Sequence, residues 1–195
     1  MALPVSRLRT HGLSGSGMIR AKMRCVVRPD MLTRRVDSNP STSQTAMNIR
    51  TDGKQILLHG MVMILTGLFL GFVPPLAPFP RLAVGAHIQL EMHGILFMVL
   101  AAVLLGLPHS TGTKSVRVML VTVWLTWLMA LTEVANAWWG TNQLLPVAAK
   151  QAGAMGAAPW QEMLVKASHV PAGLGLIISF ALLIAGFAKH RESAT

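Results

Sequence analysis

Four stretches of the chain are nearly unbroken runs of apolar residues, near 55–73, 84–107, 115–139 and 167–188. Each is long enough to cross a hydrocarbon layer of roughly 30 Å, which takes about 20 helical residues. The runs are continuous rather than alternating, so they predict membrane helices and not the strands of a barrel. The first ends at Pro74-Pro75, the second at Pro108 and the third at Trp138-Trp139-Gly140. Paired indoles suit a headgroup boundary. The polar loop His109–Lys114 is short, which makes the second and third helices antiparallel neighbours, whereas an Ala/Gly/Gln segment, 140–166, precedes the fourth. Pro171 reads as part of that helix's first turns, where a missing N–H costs little. The expectation is an all-α integral membrane four-helix bundle over 55–188, preceded by a basic extension, 1–54, and followed by a short tail, 189–195.

Composition supports the membrane and places the charge. Of 195 residues, 52% are apolar and only 12% charged, against about 25% charged in an ordinary soluble domain, and the mean hydropathy is +0.52. The net charge of +10 is uneven: residues 1–54 hold ten basic and three acidic residues. No aromatic interleaving or nucleic-acid motif accompanies those arginines, so membrane lipid, and not nucleic acid, is the expected acidic partner. The basic N-terminal segment, Lys114, Arg117, Lys189 and Arg191 fall on one side of the predicted spans. Arg81, Lys150 and Lys166 fall on the other. The positive-inside rule then puts both termini in the cytoplasm, with the bacterial inner membrane as the expected location. Residues 1–46 lack a periodic apolar face and read either as an organelle transit peptide or as sequence upstream of a true start at Met47, with the second favoured. Cys25 is the only cysteine, which excludes an intramolecular disulfide, a Cys-based zinc site and an iron–sulfur cluster.

Ionisable groups inside the spans are the candidates for chemistry, because a charge at the centre of a membrane helix costs a few kcal/mol or more to insert. They are His59, His87, Glu91, His93, Glu133 and His169, with Gln89 and Asn136 beside them. His59, His87 and His169 fall in the first turns of their predicted helices, where snorkelling is an ordinary explanation. His169 is read that way, and His109 and His190 as solvated loop residues. On a helical wheel Glu91, Gly94, Met98 and Ala101 lie within about 40° of His87, while His93 is about 120° away and faces another helix or another subunit. In the third helix Thr122, Thr126, Met129, Glu133, Asn136 and Gly140 share one stripe about 80° wide. The threonines of that stripe read as groups bonded to their own i−4 carbonyls or holding helices together. An unpaired Glu133 would be costly, so it is expected to face a polar cavity or a histidine. The 13 methionines read as lipid-facing and gap-filling side chains. No zinc-protease, haem-attachment or dinucleotide signature is present, so no nucleotide cofactor is expected. The residues alone name no reaction.

Particular strings add one. His59–Phe72, reading HGMVMILTGLFLGF, is followed by Pro80–His87, PRLAVGAH. Later come Leu144–Ala149, LLPVAA, and Ala157–Glu162, AAPWQE. In this order they resemble the small four-helix hydroxylaminobenzene mutases over roughly residues 54–188. More distantly, the chain is similar to the styrene oxide isomerases, which share the His-Gly of the first helix and an Ala-His with Asn six residues on. The resemblance implies rearrangement of an aryl hydroxylamine, a small aromatic substrate, to an aminophenol. It also implies a haem b with His87 as axial metal ligand and His59 as a second cofactor-binding residue, and a homo-oligomer, a trimer. His93 stands where those relatives have Asn. The catalytic expectation is Glu91, His93, Glu133 and Asn136: a carboxylate stabilises the arylnitrenium-like cation, and Asn136 or His93 orients the oxygen. The alternatives are an epoxide-to-aldehyde isomerase of the styrene oxide type and a non-enzymatic haem-binding membrane protein.

Overall fold

The computed structural model describes residues 40–194, with side chains from 43 to 192. Expectations for residues 1–39, Cys25 among them, lie outside the described residues. Five α-helices and no strand occur among the described residues: α1 (Pro40–Leu70), α2 (Pro80–Gly106), α3 (Thr113–Trp139), α4 (Pro146–Ala152) and α5 (Pro159–Ala194). A single 3₁₀ turn, Pro74–Leu76, lies between α1 and α2. Four of the helices, α1, α2, α3 and α5, are long and apolar enough to cross a membrane, which is the helical bundle that the hydropathy pattern predicts.

Helix boundaries follow local chemistry. Four helices, α1, α2, α4 and α5, open on proline, whose fixed φ and missing N–H suit the first helical turn. Helices α3 and α4 end on glycines in the left-handed region, Gly140 at φ 69° and Gly153 at φ 73°, a conformation that other residues adopt at a steric cost. Two boundaries differ from expectation. The first helix starts at Pro40 and not near 55, so residues 40–54 are helical. The fourth membrane helix starts at Pro159 and not near 167, which moves Pro171 from its first turns to its interior. There the Ala167 carbonyl loses its backbone donor, a defect that neighbouring helices make tolerable in a membrane.

Helix α1 packs mainly on α2, α3 on α5, and α2 and α1 both on α3. Lipid supplies no hydrophobic force between helices, so close contact has to come from small residues. At the α1–α2 crossing a Cβ on Gly94 would stand 2.7 Å from the Gly60 carbonyl oxygen. At the α3–α5 crossing Gly175 lies against Thr122, and Ser179 donates to Thr122 Oγ1 at 3.1 Å. The core between these seams holds Ile56, Met63, Phe97, Leu100, Met119 and Val123, all fully buried. Trp124, Leu128 and Leu131 on the opposite face of α3 are exposed, as lipid-facing residues should be.

Each end of the bundle is tied by polar contacts. At one end the Ser110 N–H donates to the Gly186 carbonyl at 3.1 Å, joining the α2–α3 loop to α5. His109 is not a free loop residue there: Nε2–H donates to the Leu104 carbonyl at 2.9 Å, and Nδ1 accepts the Thr111 N–H at 3.1 Å. At the other end the Phe79 N–H donates to the Ala137 carbonyl at 3.1 Å. Trp139 and Trp160 meet edge to face at 5.3 Å.

Candidate functional site

The polar stripe of α3 faces inward over its whole length, with Thr122, Thr126, Met129, Glu133 and Asn136 all buried. Its threonines do what their spacing suggests: Thr122 Oγ1 donates to the Val118 carbonyl at 3.0 Å and Thr126 Oγ1 to the Thr122 carbonyl at 2.9 Å. They are packing residues. Asn136 is held at the end of the stripe, where its Oδ1 accepts both the N–H and the hydroxyl of Thr141, at 2.8 and 2.7 Å. That oxygen closes the turn after α3, and Asn136 is 1% exposed.

Glu133 finds its histidine. Its Oε1 lies 2.8 Å from His169 Nε2, with the two side chains 4% and 12% exposed. His169 Nδ1 lies 2.7 Å from the Val165 carbonyl. A carbonyl only accepts, so Nδ1 carries a hydrogen, and the contact with Glu133 then holds one proton, on nitrogen or on oxygen. Glu133 and His169 are therefore a one-proton pair inside an apolar bundle. Two hydroxyls flank it: Thr132 and Ser168 meet at 2.6 Å, and each donates or can donate to a carbonyl of its own helix. The interfacial reading of His169 is corrected by the true start of α5. From Pro159, His169 lies about three turns inside the helix, not in its first turns.

Helix α2 brings further polar groups to this region. Gln89 Nε2 donates to the Met129 sulfur at 3.4 Å, which turns this face of α2 toward α3. His93, one turn on and about 40° round the helix from Gln89, is half-buried on the same face. Its Nδ1–H donates to the Gln89 carbonyl at 2.7 Å. In its neutral form the Nε2 of His93 therefore presents a lone pair. The face of α2 carrying His93 thus meets α3 through Gln89.

The other face of α2 lies on α1. His87 Nδ1–H donates to the Gly67 carbonyl at 2.7 Å, and Glu91 Oε1 is 3.7 Å from the same nitrogen. Both side chains are about one quarter exposed, at 25% and 27%. Gly67 and Gly71 make this possible: a Cβ on Gly67 would stand 2.7 Å from Glu91 Cγ, and one on Gly71 would stand 3.3 Å from His87 Cε1. The structure thus divides the sequence-derived site residues between two seams. His87 and Glu91 sit between α1 and α2, while His93, Glu133 and His169 sit among α2, α3 and α5.

His59 belongs to neither group. Its Nδ1 accepts the Trp127 indole N–H at 3.2 Å, and its ring meets Trp124 edge to face at 4.8 Å. With Nδ1 so occupied, the neutral ring carries its hydrogen on Nε2 and presents a donor, not a metal-binding lone pair. His87 has the opposite arrangement. A hydrogen bond from Nδ1 to a backbone carbonyl is the one that orients metal-bound imidazoles and leaves Nε2 free to coordinate. Among the described residues no three His, Cys, Asp or Glu side chains converge on a metal-ion site. A single imidazole with its Nε2 free is a lone protein ligand of the kind a haem takes, not the ligand set of a bare ion.

Glu162 is a buried carboxylate that the sequence reasoning did not single out. It accepts the backbone N–H groups of Asn142, Gln143 and Ala157 at 2.8, 3.1 and 3.3 Å, fastening the α3–α5 connection to the first turn of α5. Lys166, one turn on, bonds Gln143. The only advance signal was an acidic residue three positions after the helix-opening Pro159, where carboxylates commonly take up backbone donors.

The profile of the styrene oxide isomerase family matches residues 53–188. The chain is similar to hydroxylaminobenzene mutase HabB of Ectopseudomonas oleovorans, 25% identical over 135 residues, covering 68% of this chain and 79% of that protein. No solved structure gives a significant match.

Proposed function

The chain belongs to the styrene oxide isomerase family, a membrane isomerase by that membership, and we propose that it converts aryl hydroxylamines to aminophenols. The name of its mutase relative supports this substrate class. The observation that carries the chemistry is the Glu133–His169 pair, one proton held across 2.8 Å between two helices. An arylhydroxylamine partitions into lipid and needs a proton to part with its oxygen, and this pair can lend one.

The reaction balances within one molecule. The pair gives its proton to the hydroxyl oxygen, and the N–O bond breaks with both electrons leaving on that oxygen. The oxygen bonds the ortho ring carbon, where the cation carries part of its charge, and returns a proton to the pair. The ring C–H proton then moves to nitrogen, restoring aromaticity, and no electron enters or leaves. While the cation exists, the carboxylate of Glu133 opposes its charge in a site largely closed to water, where electrostatic stabilisation is strongest. His93, with its Nε2 lone pair, can accept the O–H and hold the departing oxygen near the ring. Glu91 and Asn136 take lesser parts: Glu91 stands beside His87 and orients it, and Asn136 fixes the turn that ends α3. A haem held by His87 would supply Lewis acidity. The working unit is a homo-oligomer in the bacterial inner membrane, as the resemblance implies.

The test is to incubate membranes containing the protein with phenylhydroxylamine, anaerobically and without added cofactor, and to follow 2-aminophenol by chromatography. Protein-dependent product supports the reading; its absence in folded protein refutes it. The family profile favours one second reading, the opening of styrene oxide to its aldehyde, which needs the same heterolysis at carbon. Parallel incubation with the epoxide distinguishes the two.

A further inference from the structure

The end of the bundle that holds the α2–α3 loop contains a cavity of about 600 Å³ remote from both polar seams. Its walls are of two kinds. Arg50, Lys54, His109 and Thr111 line one part, and apolar residues including Leu104 and Leu105 line the rest. Among the described residues no carboxylate lines it. Arg50 and Lys54 are one helical turn apart on α1 and share a face, whereas Asp52 lies about 160° away from each. Neither cation has a hydrogen bond or ion pair among the described residues. His109 supplies no counter-charge, because an imidazole is neutral or cationic, and both of its ring nitrogens are engaged by backbone groups.

Two unpaired cations at the mouth of an apolar recess match an amphiphile with a negative head. The location fits as well, because Lys54 and the α2–α3 loop stand where the apolar runs of α1 and α2 stop, at headgroup depth. Basic pockets between membrane helices take anionic headgroups for this reason. We propose that this cavity binds the phosphate of an anionic phospholipid, with Arg50 and Lys54 on the phosphate and the Leu104–Leu105 wall against the first methylenes of its acyl chains. The chemistry shared with free inorganic phosphate is the anion; the apolar wall selects the lipid.

The test titrates phosphatidylglycerol into the delipidated full chain in detergent and counts bound lipid by native mass spectrometry, with phosphatidylcholine in parallel. Each surface cation contributes about fivefold to binding an acidic headgroup, so R50Q with K54Q should weaken phosphatidylglycerol binding by about 30-fold and leave phosphatidylcholine unchanged. K114Q with R117Q, which removes two exposed cations at the same end but outside the cavity, should retain binding. L105W, which fills the recess and keeps both cations, should weaken it. Excess inorganic phosphate should leave the bound lipid in place. Equal loss in the Lys114/Arg117 variant, no loss in the Arg50/Lys54 variant, or displacement of the lipid by inorganic phosphate each overturns the proposal. Helical circular dichroism of every variant confirms that lost binding is not lost fold, and L105W carries the test should the Arg50/Lys54 variant not fold.

Discussion

Replacing Glu133 by Gln removes the shared proton and little else. The side chain keeps its shape, and its NH₂ group can donate to His169 Nε2 across the same 2.8 Å contact. His169 is the hydrogen-bond partner of Glu133 among the described residues, and the pair is nearly closed to solvent. A charge-assisted bond thus gives way to a neutral one, a loss of about 1 kcal/mol or less in stability. The chemical cost is larger. A positioned general acid and base contributes about 10²–10⁴-fold in rate, or roughly 3–5 kcal/mol of barrier. E133Q should therefore melt within a few degrees of wild type in detergent while forming 2-aminophenol at least about 100-fold more slowly. H169L behaves differently, since it strands a buried carboxylate and should destabilise by about 3–5 kcal/mol. Combining E133L with H169L removes both polar groups and should recover much of that stability with no recovery of turnover. E133Q protein that is folded and turns over within about twofold of wild type would refute the proton-pair reasoning.

H87A should lose any haem absorbance and the mutase activity together while the helices persist, since His87 meets α1 through one hydrogen bond at a partly exposed site; intact activity with intact absorbance would reassign the ligand. G94A should weaken the α1–α2 crossing by about 1–3 kcal/mol, because the new methyl would meet a backbone carbonyl at 2.7 Å, and denaturation in mixed detergent measures it. E162A should cost about 2–3 kcal/mol by releasing three backbone donors at the α3–α5 connection, read as faster proteolysis between residues 140 and 158 with slower loss at the helices.

The membrane helices and the inward stripe of α3 were legible because both are periodic: lipid enforces long apolar runs, and one polar face in such a run has nowhere to go but inward. The depth of His169 was not legible. Residues 159–166 read as polar loop by hydropathy, yet Gln161, Glu162 and Lys166 use that polarity on the backbone and side chains of the connection before α5. The helix therefore begins about two turns before its apolar run, and a histidine placed at the interface by counting is drawn into the bundle. The upstream start of α1 has the same origin, since polar turns continue a helix past the point where hydropathy ends it.

The angular offset between His87 and His93 was likewise legible, but its meaning needed packing. Six residues on one helix separate the two by about 120°, and only the glycine contacts Gly60–Gly94 and Gly67–Glu91 fix which neighbour each face meets. Once α1 is pinned to the His87 face, the His93 face is left for α3 and α5. Helix α2 thus stands between the His87–Glu91 seam on α1 and the seam that holds the Glu133–His169 pair. The rearrangement proposed for this chain draws its proton from the second seam, so it is there that the departing oxygen has to be held until it returns.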